Sequence, residues 1–445
     1  MFKYLKSNKS LMIQILIISF PVIIQMYMKT AIGTIDKIMI GQLGEAAISG
    51  VGASNQIMFL MMMIFTAIGM GVGIIASQAV GAKEFSKIKL IFGSSIIIGI
   101  IFGLFFNIIF LFFPQFFLKI IGAKSEILNA GSLYLKIVSF TIIPGVLSFI
   151  LTGIFRAFTD NNILLYSSFF AASINLILDY LFIIVFKMGI LGAALATVIS
   201  SFIEISIMFF FLFKNRIRYH INISDTLKFS KNIFIQMISL GWPISIDTFL
   251  WRISAIIMIS MILRLGVVAS GANEVINLVK NLFLLPTFAI GSAISGLIGQ
   301  KIGSKNFDEV VKISKLLFYI MFVILFIFSI LLSMFSYFVP KVFNFKYETK
   351  ILIQQILIFY GFLQFPQIAN SIYPNILRAG GDTKIIIFIT SISSYLFLLP
   401  FVYIFAFIFK LGLIGVIIGE FLGETIKAIF FYYRYKKNIW QKNIL

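Results

Sequence analysis

No cysteine occurs among the 445 residues, which excludes a disulfide framework, thiolate metal sites and thiol redox chemistry. Histidine occurs once, as His220, within a basic polar stretch where a surface position is expected rather than a ligand role. Charge is scarce as well. Only 12% of residues are charged, against roughly a quarter in ordinary soluble chains, too few to cover a water-facing surface. Short segments of alternating hydrophobicity are absent, which excludes a transmembrane barrel.

What the chain has instead is apolar length. Hydrophobic residues make up 60% of it, and the runs 88–113, 163–186, 311–339 and 385–409 each reach the roughly 20 residues that cross a bilayer as helix. The expected class is an all-α polytopic membrane protein. Its first segment follows Lys3, Lys6 and Lys9, has no small-residue cleavage site and contains Pro21 and Lys29, so a retained first helix is expected.

The net charge of +20 follows from topology. If segments alternate across the membrane, twenty-two Lys and Arg fall on one set of loops and ten on the other. The positive-inside rule assigns the richer side, with both termini, to the cytoplasm. The basic balance is then an orientation and anionic-lipid signal, and nucleic acid is not a partner. The expected location is a bacterial or archaeal cytoplasmic (inner) membrane.

The chain also repeats itself at an offset of 222. Pro21 returns as Pro243, Gly44 as Gly266, Gln78 as Gln300, Arg156 as Arg378 and Asp160 as Asp382. After one inserted residue, Gly189 and Gly192 return as Gly412 and Gly415. Turn and charge signals predict six helices per half: 11–36, 48–76, 88–118, 127–155, 163–186 and 189–213, then 233–263, 273–298, 310–338, 349–377, 384–409 and 412–433. The predicted organisation is an N-terminal lobe over 1–218, a cytoplasmic linker over 219–232 and a C-terminal lobe over 233–445. An even number of segments per repeat makes the repeats parallel, with binding expected in a cleft between them. Asp160 and Asp382 are expected to N-cap the helices that follow them.

Ionisable groups inside membrane segments are functional candidates. Asn175 and Asp179 are four residues apart, on one helix face. Asp179 and Thr197 stand nine residues either side of the turn near Met188, roughly 13 Å from it at 1.5 Å per residue. Asp36 reaches the same level if the first helix runs long, and Pro21 gives that helix a place to bend. These hard oxygens suit Na⁺ or a shared proton. The alternative is that Asp36 pairs locally with Lys37 while Asn175 bonds a neighbouring helix. The repeat bears on the choice, because Asp36 maps to Met258, Asn175 to Phe397 and Thr197 to Glu420. Scaffold residues are duplicated and this set is not. Asp247, Trp251 and Glu274 in the second half, with Met62 of the Met58–Met63 cluster, are candidates for a substrate cleft. Ion pairing among the second-half charges is the rival reading.

The order and spacing of Pro21…Asp36-Lys37, Gly69-Met70-Gly71, Gln78…Gly81, Arg156-Ala157…Asp160, Asn175…Asp179, Gly241-Trp242-Pro243 and Arg378-Ala379-Gly380-Gly381-Asp382 resemble the multidrug and toxic compound extrusion (MATE) transporters. The resemblance covers almost the whole chain. It implies twelve helices in two six-helix bundles and cation-coupled export of amphipathic, often cationic organic compounds by alternating access. No cofactor is implied beyond Na⁺ or H⁺ as coupling ion, and a monomer is expected to suffice. In the DinF-like and archaeal branch the cation site lies in the first lobe, and its residues match Asp36, Asn175, Asp179 and Thr197. The NorM-like branch relies on acids in the seventh and tenth helices. Here 364–377 has none and Trp251 stands near the seventh-helix position, with Asp247 one turn earlier. An alternative within the superfamily is a lipid-linked oligosaccharide flippase, whose cavity would be strongly cationic. A membrane-embedded enzyme would need a repeated metal motif or a nucleophile–base pair, and neither is present.

Overall fold

The computed structural model describes residues 7–442 and Ile444, apart from the side chain of Ser125; Lys3 and Lys6 lie outside the described residues. Among the described residues there is no strand. The long helices of the first half are α1 (Lys9–Gly41), α2 (Glu45–Ala82), α3 (Phe85–Phe112), α4 (Glu126–Ala157), α5 (Asn161–Val185) and α6 (Gly189–Lys214). Those of the second are α7 (Lys231–Arg264), α8 (Val267–Gly303), α9 (Phe307–Phe335), α10 (Tyr347–Tyr360 with Phe362–Ala379), α11 (Thr383–Ile408) and α12 (Gly412–Lys436). Among the described residues ten are long and apolar enough to cross a membrane, or eleven if the two pieces of α10, bent by 54°, count as one span. The remaining helix, α12, has the length but carries Glu420, Glu424 and Lys427 along its middle.

Several ends differ from the sequence expectation. α1 does not stop at Asp36 but continues to Gly41, since a charged pair does not break a helix. The chain turns at Gly44, whose φ of 101° suits only glycine. α3 ends at Phe112, and Pro114 opens a separate short helix to Ile120 in place of the continuous helix expected to 118. α10 breaks where Gly361 packs on Ser329 and Pro366 follows. Its counterpart α4 passes through a 3₁₀ turn at Ser139–Thr141 before Pro144.

The repeat extends to backbone geometry. Gly44 and Gly266 have φ of 101° and 96°, Lys83 and Lys305 of 60° and 59°, and Gly189 and Gly412 of 61° and 57°. Each fifth helix of a half ends in a π-helical stretch, Tyr180–Val185 in α5 and Ile404–Ile408 in α11. Small residues bring the helices together within each half. A Cβ on Gly153 would lie 2.6 Å from the carbonyl oxygen of Gly69, so α2 and α4 touch through backbone. At the repeat position, Gly291 of α8 meets Ser371 of α10.

The chain divides into two compact units, Phe20–Ser245 and Ile246–Ile444 with the chain up to Ser19. Both divisions fall within three residues of the duplicated Pro21 and Pro243.

The two duplicated aspartates occupy N-cap positions without capping. Asp160 instead accepts from the Tyr219 hydroxyl at 2.6 Å and pairs with Arg218 at 2.8 Å; Asp382 pairs with Arg434 at 2.7 Å. Each arginine brings a full opposite charge in addition to its hydrogen bond, which a backbone N–H does not. These contacts fold the predicted linker onto its own unit. Tyr219 and Ile221 are fully buried, and Ser230 N–H donates to Ser94 of α3 at 2.8 Å. Burial and the Asp160 carboxylate push the Tyr219 hydroxyl well above its ordinary pKa, which keeps it a donor. His220 is exposed and stacks on Phe85 at 3.7 Å.

Candidate cation site and polar cavity

In the Phe20–Ser245 unit, Asp179 is the last α-helical residue before the π stretch that ends α5. Such widened turns interrupt the regular hydrogen-bond ladder and recur at functional sites. Asp179 is 1% exposed, and both its carboxylate oxygens are buried without a hydrogen-bond partner. Asp36 is half-buried, and its Oδ1 is likewise buried and unpartnered. The extension of α1 to Gly41 puts Asp36 inside the helix, within Coulombic reach of Asp179.

The hydroxyl of Tyr134 from α4, a residue 2% exposed, stands near both carboxylates and beside Thr197 and Asn55. The Thr197 hydroxyl donates to the Ala193 carbonyl at 2.9 Å, so its oxygen remains able to accept. Asn175 is half-buried one turn before Asp179, on the same helix face. Asp36, Asp179 and Thr197 are thus brought together, with Asn175 a turn away. Sequence reasoning missed Tyr134 and Asn55. Tyr134 maps to Ile356 and so breaks the repeat, the same signal that marked the others.

A neighbouring chain of polar groups ties α1 to α5 and α6. Gln25 donates to Ser168 at 2.7 Å, Ser168 donates to Glu204 at 2.9 Å, and Lys29 approaches Glu204 at 3.7 Å. Pro21 lies within α1, which continues through it as one helix.

In the Ile246–Ile444 unit, a cavity of about 210 Å³ is lined by Asp247, Trp251, Asn370, Arg378 and Lys427, among others. Asp247 pairs with Arg378 at 3.4 Å, and Lys427 pairs with Glu424 at 2.6 Å. Two of the proposed cleft residues, Asp247 and Trp251, therefore share a cavity. Glu274 is exposed on α8 and does not line it. Met62 is in the other unit, its methyl against Gly145.

The MatE family model matches residues 21–181 and again 243–404, so each match begins at the duplicated proline and the two repeat the 222-residue offset. The chain belongs to the MATE family. It is therefore a transporter and not an enzyme. Among curated relatives, this MATE chain is 25% identical to the probable multidrug resistance protein YoeA of Bacillus subtilis, over 90% of the chain and 88% of the relative. It is also 25% identical to the probable multidrug resistance protein NorM of Thermotoga maritima, over 93% and 90% respectively. Among solved structures, a mutant of the Vibrio cholerae MATE transporter VcmN superposes with a TM-score of 0.90 at 18% identity, covering 98% of this chain and 99% of that one. An outward-facing multidrug resistance MATE transporter of the MOP superfamily gives 0.87 at 21%, covering 96% and 95%. These likenesses bear on the fold.

Proposed function

We propose that this MATE transporter is a cation-coupled antiporter that exports amphipathic, often cationic organic compounds by alternating access. The observation that carries the reading is the set of three buried carboxylate oxygens on Asp36 and Asp179 with nothing donating to them. Two unpaired carboxylates in a low-dielectric setting are stable only when a cation or a proton is shared between them. Asn175, Thr197 and Tyr134 add neutral oxygens, a donor set that suits Na⁺ and equally accommodates a proton on one acid. The curated relatives named as multidrug resistance proteins support small organic substrates. The loop charges support a cytoplasmic membrane with both termini inside.

The cation enters from the outer side, joins α1 to α5 at Asp36 and Asp179, and by drawing the two helices together disfavours the substrate-binding state. Pro21 leaves one backbone carbonyl of α1 without its helical donor and lets the helix bend there. One charge crossing about 100 mV supplies roughly 2.3 kcal/mol. That sustains about a fortyfold substrate gradient, since roughly 1.4 kcal/mol is tenfold. Replacement Asp36→Asn in drug-sensitive cells should abolish resistance while leaving the amount of protein in the membrane unchanged. Full resistance at normal expression would remove Asp36 from the mechanism.

A further inference from the structure

The second half has its own polar cluster, on α8, α10 and α12, the counterparts of three of the five helices (α2, α4 and α6) that contribute to the proposed ion site of the first; the counterparts of Asp36 and Asn175 are Met258 and Phe397. Glu420 of α12 stands at the repeat position of Thr197, and Lys280 of α8 at that of Met58, one turn beyond Asn277, the repeat of Asn55. The Lys280 ammonium pairs directly with the Glu420 carboxylate, their side chains 19% and 12% exposed. The buried hydroxyl of Tyr360, from the first piece of α10, lies beside both. Glu424, the next turn of α12, is held by Lys427 and by Asn370, which donates to it at 2.8 Å. The two halves therefore place polar groups on equivalent helices: Thr197 and Glu420 at one repeat position of the sixth, and a tyrosine from the fourth, Tyr360 standing one turn beyond the repeat position of Tyr134. They differ in what supplies the positive charge. In the first half three carboxylate oxygens have no partner; in the second the acids are met by lysines of the chain itself.

We infer that Lys280 is a tethered cation that fills the second half's copy of the ion site, so that one half exchanges its cation with solution and the other cannot. Each copy of this chain then couples through a single cation site. This rests on the first-half reading proposed above and adds the reason why a duplicated fold has only one working copy. Met58 at the equivalent position of α2 is apolar and leaves the first-half site open. Taking the ammonium away strands the Glu420 carboxylate in a buried setting, where a buried charge must find a new counter-charge or a proton. The facing charged and titratable groups are Tyr360, Glu424 and Lys427, and of these only Lys427 is positive and it is already engaged by Glu424.

The test counts cations held per chain by the purified full-length protein, as ²²Na⁺ binding with proton uptake measured in parallel. The parent should hold one cation, lost in Asp36→Asn. Lys280→Met should hold one more than the parent, and the extra cation should survive Asp36→Asn. The double replacement Lys280→Met/Glu420→Gln should return the count to that of the parent. A folded Lys280→Met with the parental count would overturn the tethered cation while leaving the first-half site intact. Retention of the parental cation in Asp36→Asn would instead strike the first-half reading, and the gain on Lys280→Met would still stand by itself. Should Lys280→Met fail to fold, the parent decides: two cations, one of them surviving Asp36→Asn, would show the second half open and overturn the inference.

Discussion

Asp179 is fully enclosed and yet neither of its oxygens receives a hydrogen bond. On the proposed function it recruits a cation or a proton, because a buried carboxylate left alone is among the most costly arrangements a fold can hold. Asp179→Asn should therefore abolish coupling without harming stability, since the amide needs no counter-charge. Tyr134→Phe tests the neutral part of the site. Loss of one hydroxyl worth about 0.5–1.5 kcal/mol should weaken cation binding roughly three- to tenfold, read by ²²Na⁺ displacement or proton titration. An unchanged affinity would place Tyr134 in packing alone. Asp36, Asn175, Asp179 and Thr197 stand out in the sequence as candidates because they are polar groups in apolar runs and because the repeat does not preserve them. Tyr134 was not legible, since tyrosine is unremarked in a chain with 16 of them, and Asn55 was hidden by its own duplication as Asn277. Asp160 and Asp382 show the opposite failure. Position alone predicts a cap, but the arginines that claim them come from 58 and 52 residues away in sequence.

Helices in this protein are placed by apolar length and ended by glycine and proline, which is why twelve segments can be laid out from sequence and why a charge such as Asp36 does not mark an end. The length of α1 matters most, since its run to Gly41 puts Asp36 within the helix. The π stretches ending α5 and α11 leave no sequence signature, because they arise from how a helix is held by its neighbours. Contacts between elements depend on small residues. A Cβ on Gly241 of α7 would overlap the carbonyl oxygen of Ala67 in α2, and one on Gly71 of α2 would overlap that of Met237 in α7. Gly241→Leu should therefore destabilise the protein by about 1–3 kcal/mol, as overpacking does in tight cores. A thermal melt in detergent reads this as a lower Tm. Gly33→Ala, inside α1 and with nothing within 4 Å of the added atom, should not lower the Tm, since Ala is the better helix former. Equal melting of the two variants would refute close α2–α7 packing.

At the scale of the whole molecule, duplication supplied two equivalent scaffolds and divergence gave them different charges. The agreement of φ at Gly44 and Gly266, Lys83 and Lys305, and Gly189 and Gly412 shows how far the scaffold was kept. The chain's lack of cysteine makes its orientation directly measurable. Single cysteines at exposed Ser304 and Asn344 should react with a membrane-impermeant maleimide from opposite sides, Ser304 only in broken cells and Asn344 in intact ones. The reverse pattern would invert the topology read from the loop charges. Coupling is the central claim, and transport in a closed vesicle tests it most directly. Purified protein in proteoliposomes would be given Na⁺ and pH gradients independently while movement of ethidium is followed. The account predicts that one of the two gradients drives ethidium across against its own gradient, and that Asp36→Asn abolishes the drive. Gradient-driven transport by Asp36→Asn at the parental rate would contradict it.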